Sequence, residues 1–142
     1  SVTALFRRAD APAGGPEEFF MAWTTTPWTL PANSALVVGE KIAYATVETF
    51  NPYTHARIRV VLADARLPAY FDAEAGHDLD AYEPGVSKKI PYKIISTQPG
   101  AALVGTRYEQ LLPYIQPDLQ GGTLRAFVVI PGDFVTTEDG TG

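Results

Sequence analysis

Three consecutive threonines, Thr24, Thr25 and Thr26, lie between the tryptophans Trp23 and Trp28. Each threonine hydroxyl can donate one hydrogen bond and accept others. Because threonine is branched at Cβ, its side chain is stiff about χ1, and three in a row can form a rigid wall. A wall of hydroxyls beside two indoles favours a small polar pocket that binds a ligand.

The segment 19–26, which carries the threonines, is predicted to be a β-strand because it is aromatic, apolar and β-branched. Pro27 ends the predicted strand because it has no N–H to donate. The same composition is compatible with a purely structural role, since threonine is common in strands and tryptophan in packed β cores. In an extended chain one face carries Phe19, Met21, Trp23 and Thr25, and the other carries Phe20, Ala22, Thr24 and Thr26.

The string from Trp23 to Asn33 is similar to the threonine-rich signature of the editing domain of isoleucyl-tRNA synthetase, a large insertion in the catalytic domain of that class I enzyme. The related valyl and leucyl enzymes typically place an Arg-Pro pair after the first two threonines. This chain has Thr26-Pro27-Trp28 there, which favours the isoleucine enzyme. Residues 133–142 resemble the segment leading into the family's Gly-Thr-Gly motif, and residues 103–108 resemble a weaker landmark. The resemblance covers nearly the whole chain, in the family's order.

From this resemblance we expect a proofreading domain. Isoleucine and valine differ by one methylene, which one pocket distinguishes by only about 1–3 kcal/mol, a limit for which this synthetase family is itself the standard illustration. A second pocket that admits valine and excludes isoleucine would hydrolyse mischarged valyl-tRNA(Ile) with a positioned water; valyl adenylate is a further candidate substrate. The resemblance implies catalytic roles for Thr24, Thr25 and Thr26, and substrate-binding roles for Trp23, Asn33, Gly140, Thr141 and Gly142.

The expected partners are the 3′ end of tRNA(Ile) carrying valine and the rest of the synthetase chain. The net charge of −5 argues against a free-standing nucleic-acid binder, so most contacts with the tRNA are expected in the rest of the synthetase. We expect no cofactor and no metal, since the chain lacks cysteine and His55 and His77 have no partners at ligand spacing. No apolar run is long enough to cross a membrane, and a cytoplasmic location is expected. Ser34 and Ser96 have no recognisable histidine partner, so no protein nucleophile is predicted.

The chain is expected to be a single editing domain, 1–142, excised from a longer synthetase and truncated just after the Gly-Thr-Gly motif. In the family that motif runs on into a stretch with a histidine and then an aspartate, which is expected to bind the substrate's α-amino group. We therefore expect this chain to fold but to hydrolyse valyl-tRNA poorly. Two alternatives stay open: a non-catalytic interaction module within a synthetase, and an editing domain that has lost its activity.

The fold class predicted from the sequence is mainly β with short helices (α+β), arranged as a closed or nearly closed β-barrel. The apolar fraction of 46% is that of an ordinary globular domain. Many short alternating segments are separated by turn residues, with little helical periodicity. Strands are predicted over 1–8, 34–38, 89–96 and 124–130, a hairpin over 44–62, a helix weakened by Pro68 over 63–75, and a helical turn over 106–115.

Overall fold

The computed structural model describes residues 2–10, 15–26, 28, 30, 35–52, 54–87, 89–109, 127–138 and 140–142. The strands are β1 (Val2–Arg7), β2 (Glu17–Thr24), β3 (Ala35–Val38), β4 (Ala43–Phe50), β5 (Arg57–Ala63), β6 (Lys93–Pro99) and β7 (Val128–Pro131). A short helix α1 (Leu67–Tyr70) and 3-10 turns at Asp64–Arg66, Ala73–Ala75, Leu79–Ala81 and Gly100–Ala102 connect them. The prediction of a mainly β fold with short helices is confirmed.

The strands form a five-stranded sheet in the order β1-β2-β5-β4-β6 and a two-stranded sheet of β3 and β7. β2 pairs with β5 in parallel, and β3 pairs with β7 in parallel, whereas the other neighbours are antiparallel. Isolated bridges from Arg8 to Tyr108 and from Arg107 to Val128 link the β1 edge to β7. The described strands therefore approach a barrel without closing into one, because β6 remains an edge of the larger sheet.

Both faces of the five-stranded sheet are covered by apolar side chains, so its central strands are buried on both sides. In β5, Val60 and Val61 are neighbours that point to opposite faces, and each is 3% exposed. One face packs against the β3–β7 pair and the other against α1. The first cluster includes Phe6, Phe20, Tyr44, Val61 and Val129; the second includes Val47, Ile58, Val60, Leu62 and Leu67.

The predicted hairpin over 44–62 is confirmed by antiparallel pairing of β4 with β5, in which Tyr44 faces Ala63. The helix predicted over 63–75 is instead divided into the Asp64–Arg66 turn, α1 and the Ala73–Ala75 turn. Pro68 lies in the first turn of α1, where a missing N–H costs nothing, so it begins this helix rather than weakening it. None of the described helices is long and apolar enough to span a bilayer.

Three other predictions differ in their boundaries. The strand predicted over 89–96 begins only at Lys93, because Pro91 cannot donate to a ladder. The helical turn predicted over 106–115 is wrong for its described part, where Arg107 and Tyr108 make β-bridges, and its remainder (110–115) lies outside the described residues. The strand predicted over 124–130 is described from Val128 onward, and 124–126 lie outside the described residues.

Candidate functional site

A cavity of about 570 Å³ is lined by residues of both sheets. Its volume is within the range of about 300–1,000 Å³ that small-molecule sites occupy. Its walls are mostly apolar and include Phe20, Leu36 and Val129, whereas Thr24 and Thr141 add hydroxyls. An apolar hollow with a few polar groups is the usual composition of a site that binds a small organic ligand.

Thr24 is the last residue of β2, and its half-buried side chain lines this cavity. The Thr26 N–H donates to Thr24 Oγ1 at 3.0 Å, and the two hydroxyl oxygens lie 3.2 Å apart. This local bond closes a turn, so the strand ends at Thr24 and not at Thr26 as predicted. Thr25, in the bend between them, is exposed.

The Gly-Thr-Gly segment at 140–142 reaches the same cavity from the other end of the chain. Gly140 and Gly142 have φ angles of 66° and 87°, in the left-handed region that favours glycine. A Cβ built at Gly140 would lie 3.0 Å from Cε3 of Trp23, and one at Gly142 would overlap the Cβ of Ala63. Both glycines are therefore required by backbone conformation and by close packing.

The carbonyl oxygens of this segment are held by the end of β5 and the turn that follows it. The Ala63 N–H donates to the Thr141 carbonyl at 2.7 Å, and Arg66 Nε donates to the Gly140 carbonyl at 2.8 Å. Thr141 is 6% exposed, and it lines the cavity together with Gly142. The two sequence motifs, more than a hundred residues apart, thus form adjacent walls of one hollow.

Among the eight residues singled out from the sequence, the cavity wall contains Trp23, Thr24, Thr141 and Gly142. Gly140 supports this wall by packing against Trp23. Thr25 and Thr26 follow directly after Thr24 but are not part of the wall, and Asn33 lies outside the described residues, as does Pro27. The chemical roles assigned to all eight stay predictions.

No family model matches the chain. It is 52% identical over 143 aligned residues to an isoleucine–tRNA ligase of Cytophaga hutchinsonii, with all of this chain and 12% of the relative aligned. It is 50% identical over 131 residues to an isoleucine–tRNA ligase of Bacteroides thetaiotaomicron, with 87% of this chain and 11% of the relative aligned. The chain is homologous to a segment of isoleucine–tRNA ligase. It spans about one eighth of the length of these relatives.

The fold of the chain is similar to that of two solved synthetase domains. The structure of GlLeuRS-CP1 aligns with a TM-score of 0.62 at 12% identity, over 99% of this chain and 51% of that one. The editing domain of a Plasmodium falciparum cytosolic leucyl-tRNA synthetase aligns with a TM-score of 0.61 at 14% identity, over 91% of this chain and 41% of that one. The resemblance stated from the threonine-rich and Gly-Thr-Gly motifs is confirmed.

Tyr44 is a cavity residue that the sequence did not point to as part of the site. It is 3% exposed, and its hydroxyl accepts a hydrogen bond from the Gly39 N–H at 3.0 Å. Burial raises the pKa of the Tyr44 phenol, and the bond from Gly39 acts in the opposite direction. The phenol therefore stays neutral at neutral pH, and its O–H can donate a hydrogen bond. Its only signal in the sequence was alternation along β4, which indicates burial but not function.

We expect the stability contribution of Tyr44 to be lost at alkaline pH. Because its folded pKa is raised, the folded state binds more protons than the unfolded state above the ordinary tyrosine pKa of about 10. The wild type should therefore exceed Tyr44→Phe in free energy of unfolding by a constant amount below about pH 10, with the difference falling above it. Urea unfolding of both proteins across this range checks it, and a difference that rises with pH would contradict it.

Gly140→Ala is expected to destabilise the protein more than Gly85→Ala does. Both glycines have positive φ, 66° and 80°, and Gly85 lies in a turn closed by the bond from the Val86 N–H to the Glu83 carbonyl, so alanine costs about 1–2 kcal/mol at either position. A Cβ at Gly85 meets nothing within 4 Å, whereas one at Gly140 presses on Trp23. Overpacking of this kind adds about 1–3 kcal/mol. Urea unfolding measures both, and equal losses would show that Trp23 and Gly140 are not in close contact.

No group of three or more His, Asp or Glu side chains suited to a metal ion occurs within the described ranges. The two histidines lie in separate local arrangements: His55 Nδ1 is 3.2 Å from the Tyr82 hydroxyl, and His77 Nδ1 is 2.8 Å from the Tyr92 carbonyl oxygen. The hydroxyl-bearing residues that line the cavity are Thr24, Tyr44 and Thr141.

Proposed function

We propose that this chain is the proofreading region of an isoleucine–tRNA ligase and that it hydrolyses valyl-tRNA(Ile) in the cavity beside Thr24. The observation that carries the proposal is the meeting of the threonine-rich segment and the Gly-Thr-Gly segment at one hollow. Homology to isoleucine–tRNA ligases and the editing-domain fold of the solved neighbours support it.

The threonine pair Thr24 and Thr26 has the hydrogen-bonding capacity that ester hydrolysis needs. The two hydroxyl oxygens lie 3.2 Å apart, and each hydroxyl can both donate and accept hydrogen bonds. In this proposal the Thr24 hydroxyl donates to the ester carbonyl oxygen of the substrate or to a water held beside it. A donor aimed at the developing oxyanion typically contributes about 10²–10³ in rate. Water is the nucleophile in this proposal, and it releases valine from the terminal ribose.

Selection of valine over isoleucine would depend on a rigid cavity wall. Residues of β2 and β3 line the cavity, and the two glycines of the Gly-Thr-Gly segment pack tightly on Trp23 and Ala63. Close-packed side chains resist the insertion of an extra methylene, at a cost of about 1–3 kcal/mol. The longer isoleucyl group is therefore expected to be excluded while valine enters. Valyl adenylate, which carries the same acyl group, is a further candidate substrate.

The substrate in this proposal is the 3′ end of tRNA(Ile), and the remainder of the ligase would hold the rest of the tRNA. The net charge of −5 makes this segment a poor electrostatic match for a polyphosphate backbone. Recognition here would thus be confined to the terminal nucleotide and its acyl group.

Deacylation of valyl-tRNA(Ile) and isoleucyl-tRNA(Ile) by the native polypeptide that carries this sequence tests the proposal. We expect hydrolysis of the valyl ester and at least about tenfold slower hydrolysis of the isoleucyl ester. The 142-residue chain, measured beside one extended past Gly142, is expected to be the slower of the two. Equal rates on both esters would contradict the exclusion of the isoleucyl group from the cavity. No hydrolysis by the native polypeptide would favour a non-catalytic module or an inactive editing domain.

A further inference from the structure

Arg66 joins two parts of the chain that lie more than seventy residues apart. It ends the 3-10 turn Asp64–Arg66, directly after β5. Its Nε donates to the Gly140 carbonyl at 2.8 Å, and its Nη1 donates to the Glu138 carbonyl at 3.2 Å. Within the described ranges the partners of its guanidinium are these two backbone oxygens.

A guanidinium that bonds two carbonyls fixes their positions relative to each other. Its donors lie in a rigid plane, so two simultaneous bonds specify an orientation that a single flexible donor does not. With the Ala63 N–H on the Thr141 carbonyl, the carbonyls of Glu138, Gly140 and Thr141 are bound by the end of β5 and the turn that follows it. These three carbonyls are thereby held against the end of β5.

Arg66 is not part of the cavity wall, but the segment that it anchors is. Thr141 and Gly142, immediately after the anchored carbonyl of Gly140, line the same cavity as Thr24. Release of the segment would move this wall relative to the threonine hydroxyls. Misplacement of a site by about 1 Å is enough to reduce a rate about 100-fold.

We propose that Arg66 is a positioning residue of the proofreading site, which holds the Gly-Thr-Gly wall in register with the threonine-rich segment through the Gly140 and Glu138 carbonyls. This inference rests on the proposed function. Arg66 is not part of the cavity wall, so its effect is exerted through the backbone of Glu138 and residues 140–142.

The test compares Arg66→Met, Arg66→Lys and the control Arg57→Met in the native polypeptide. Arg57 lies at the opposite end of β5, is more exposed than Arg66, and pairs with Glu48. Arg66→Met is expected to lower kcat for valyl-tRNA(Ile) deacylation about 10- to 100-fold, because the wall is no longer held in place. KM should change by less than about threefold, since the lost contact is not with the substrate. Arg66→Lys should restore part of kcat, because an ammonium can reach one carbonyl.

Hydrogen exchange at the Ala63 amide, which donates to the Thr141 carbonyl, provides a readout that does not depend on activity. Exchange there should rise about tenfold in Arg66→Met and stay unchanged in Arg57→Met, because Arg66, unlike Arg57, anchors the neighbouring Gly140 and Glu138 carbonyls. Unchanged kcat, or unchanged exchange, in Arg66→Met would overturn the inference. If the wild type deacylates neither ester, the proposed function itself fails, and the exchange result still decides separately whether Arg66 anchors the segment.

Discussion

Thr24→Val is expected to reduce valyl-tRNA(Ile) deacylation by the native polypeptide about 100-fold, the usual cost of removing one donor to a developing oxyanion. Valine has nearly the same shape as threonine, so the cavity wall is retained and only the hydroxyl is lost. The free energy of unfolding should fall by about 1 kcal/mol, because the Thr26 N–H loses its acceptor at Thr24 Oγ1. Single-turnover deacylation and urea unfolding measure the two effects.

Thr25→Val separates the chemical effect from the stability effect. Thr25 is exposed, so its replacement should change the free energy of unfolding by no more than about 0.5 kcal/mol. A loss of deacylation in this variant would report on chemistry alone. Thr97→Val, at an exposed position of the edge strand β6, is the matched control and should leave deacylation intact. Full activity in both Thr24→Val and Thr25→Val would contradict the assignment of the threonine-rich segment to the site.

Phe6→Ala is expected to lower the free energy of unfolding by about 3–5 kcal/mol, the cost of emptying a large core position. Phe6 is 1% exposed, it lines the cavity, and its ring packs edge-on against Tyr108 with centroids 5.4 Å apart. The contact with Tyr108 joins β1 to the segment that bridges the two sheets. Both sheets should therefore unfold together, at a much lower urea concentration.

Phe134→Ala is the control for this effect. Phe134 is 77% exposed, so its replacement should change stability by no more than about 0.5 kcal/mol. A decrease in the free energy of unfolding of less than about 1 kcal/mol in Phe6→Ala would contradict the described core, because truncating a buried phenylalanine in a close-packed cluster costs more than that.

Local signals in the sequence were sufficient for most strands of the fold. Alternation and β-branching located β1, β2, β3 and the β4–β5 hairpin within a few residues. The prediction that Pro68 weakens a helix over 63–75 was wrong, because proline disrupts a helix only in its interior. Pro68 lies in the first turn of α1, and that position depends on where the preceding 3-10 turn ends. The parallel pairing of β2 with β5 and of β3 with β7 has no local signal, since it joins strands far apart in sequence.

The candidate site was predicted through motifs rather than through geometry. The glycines of the Gly-Thr-Gly segment owe their identity to positive φ and to contacts with Trp23 and Ala63, which no periodicity reveals. Tyr44 and Arg66 were missed for a related reason. Tyr44 sits in an ordinary strand, and Arg66 acts on carbonyls more than seventy residues away, so neither has a neighbour in sequence that indicates its role.

The central claim is that the threonine-rich and Gly-Thr-Gly segments form one pocket for a valyl ester. A crystal structure of the native polypeptide with a non-hydrolysable valyl-adenosine analogue bound tests it most directly. We expect the valyl group in the cavity, with Thr24 within hydrogen-bond distance of the group that replaces the ester and Thr141 on the facing wall. An analogue bound on the opposite face of the sheet, near Phe71 and Tyr92, would contradict the account.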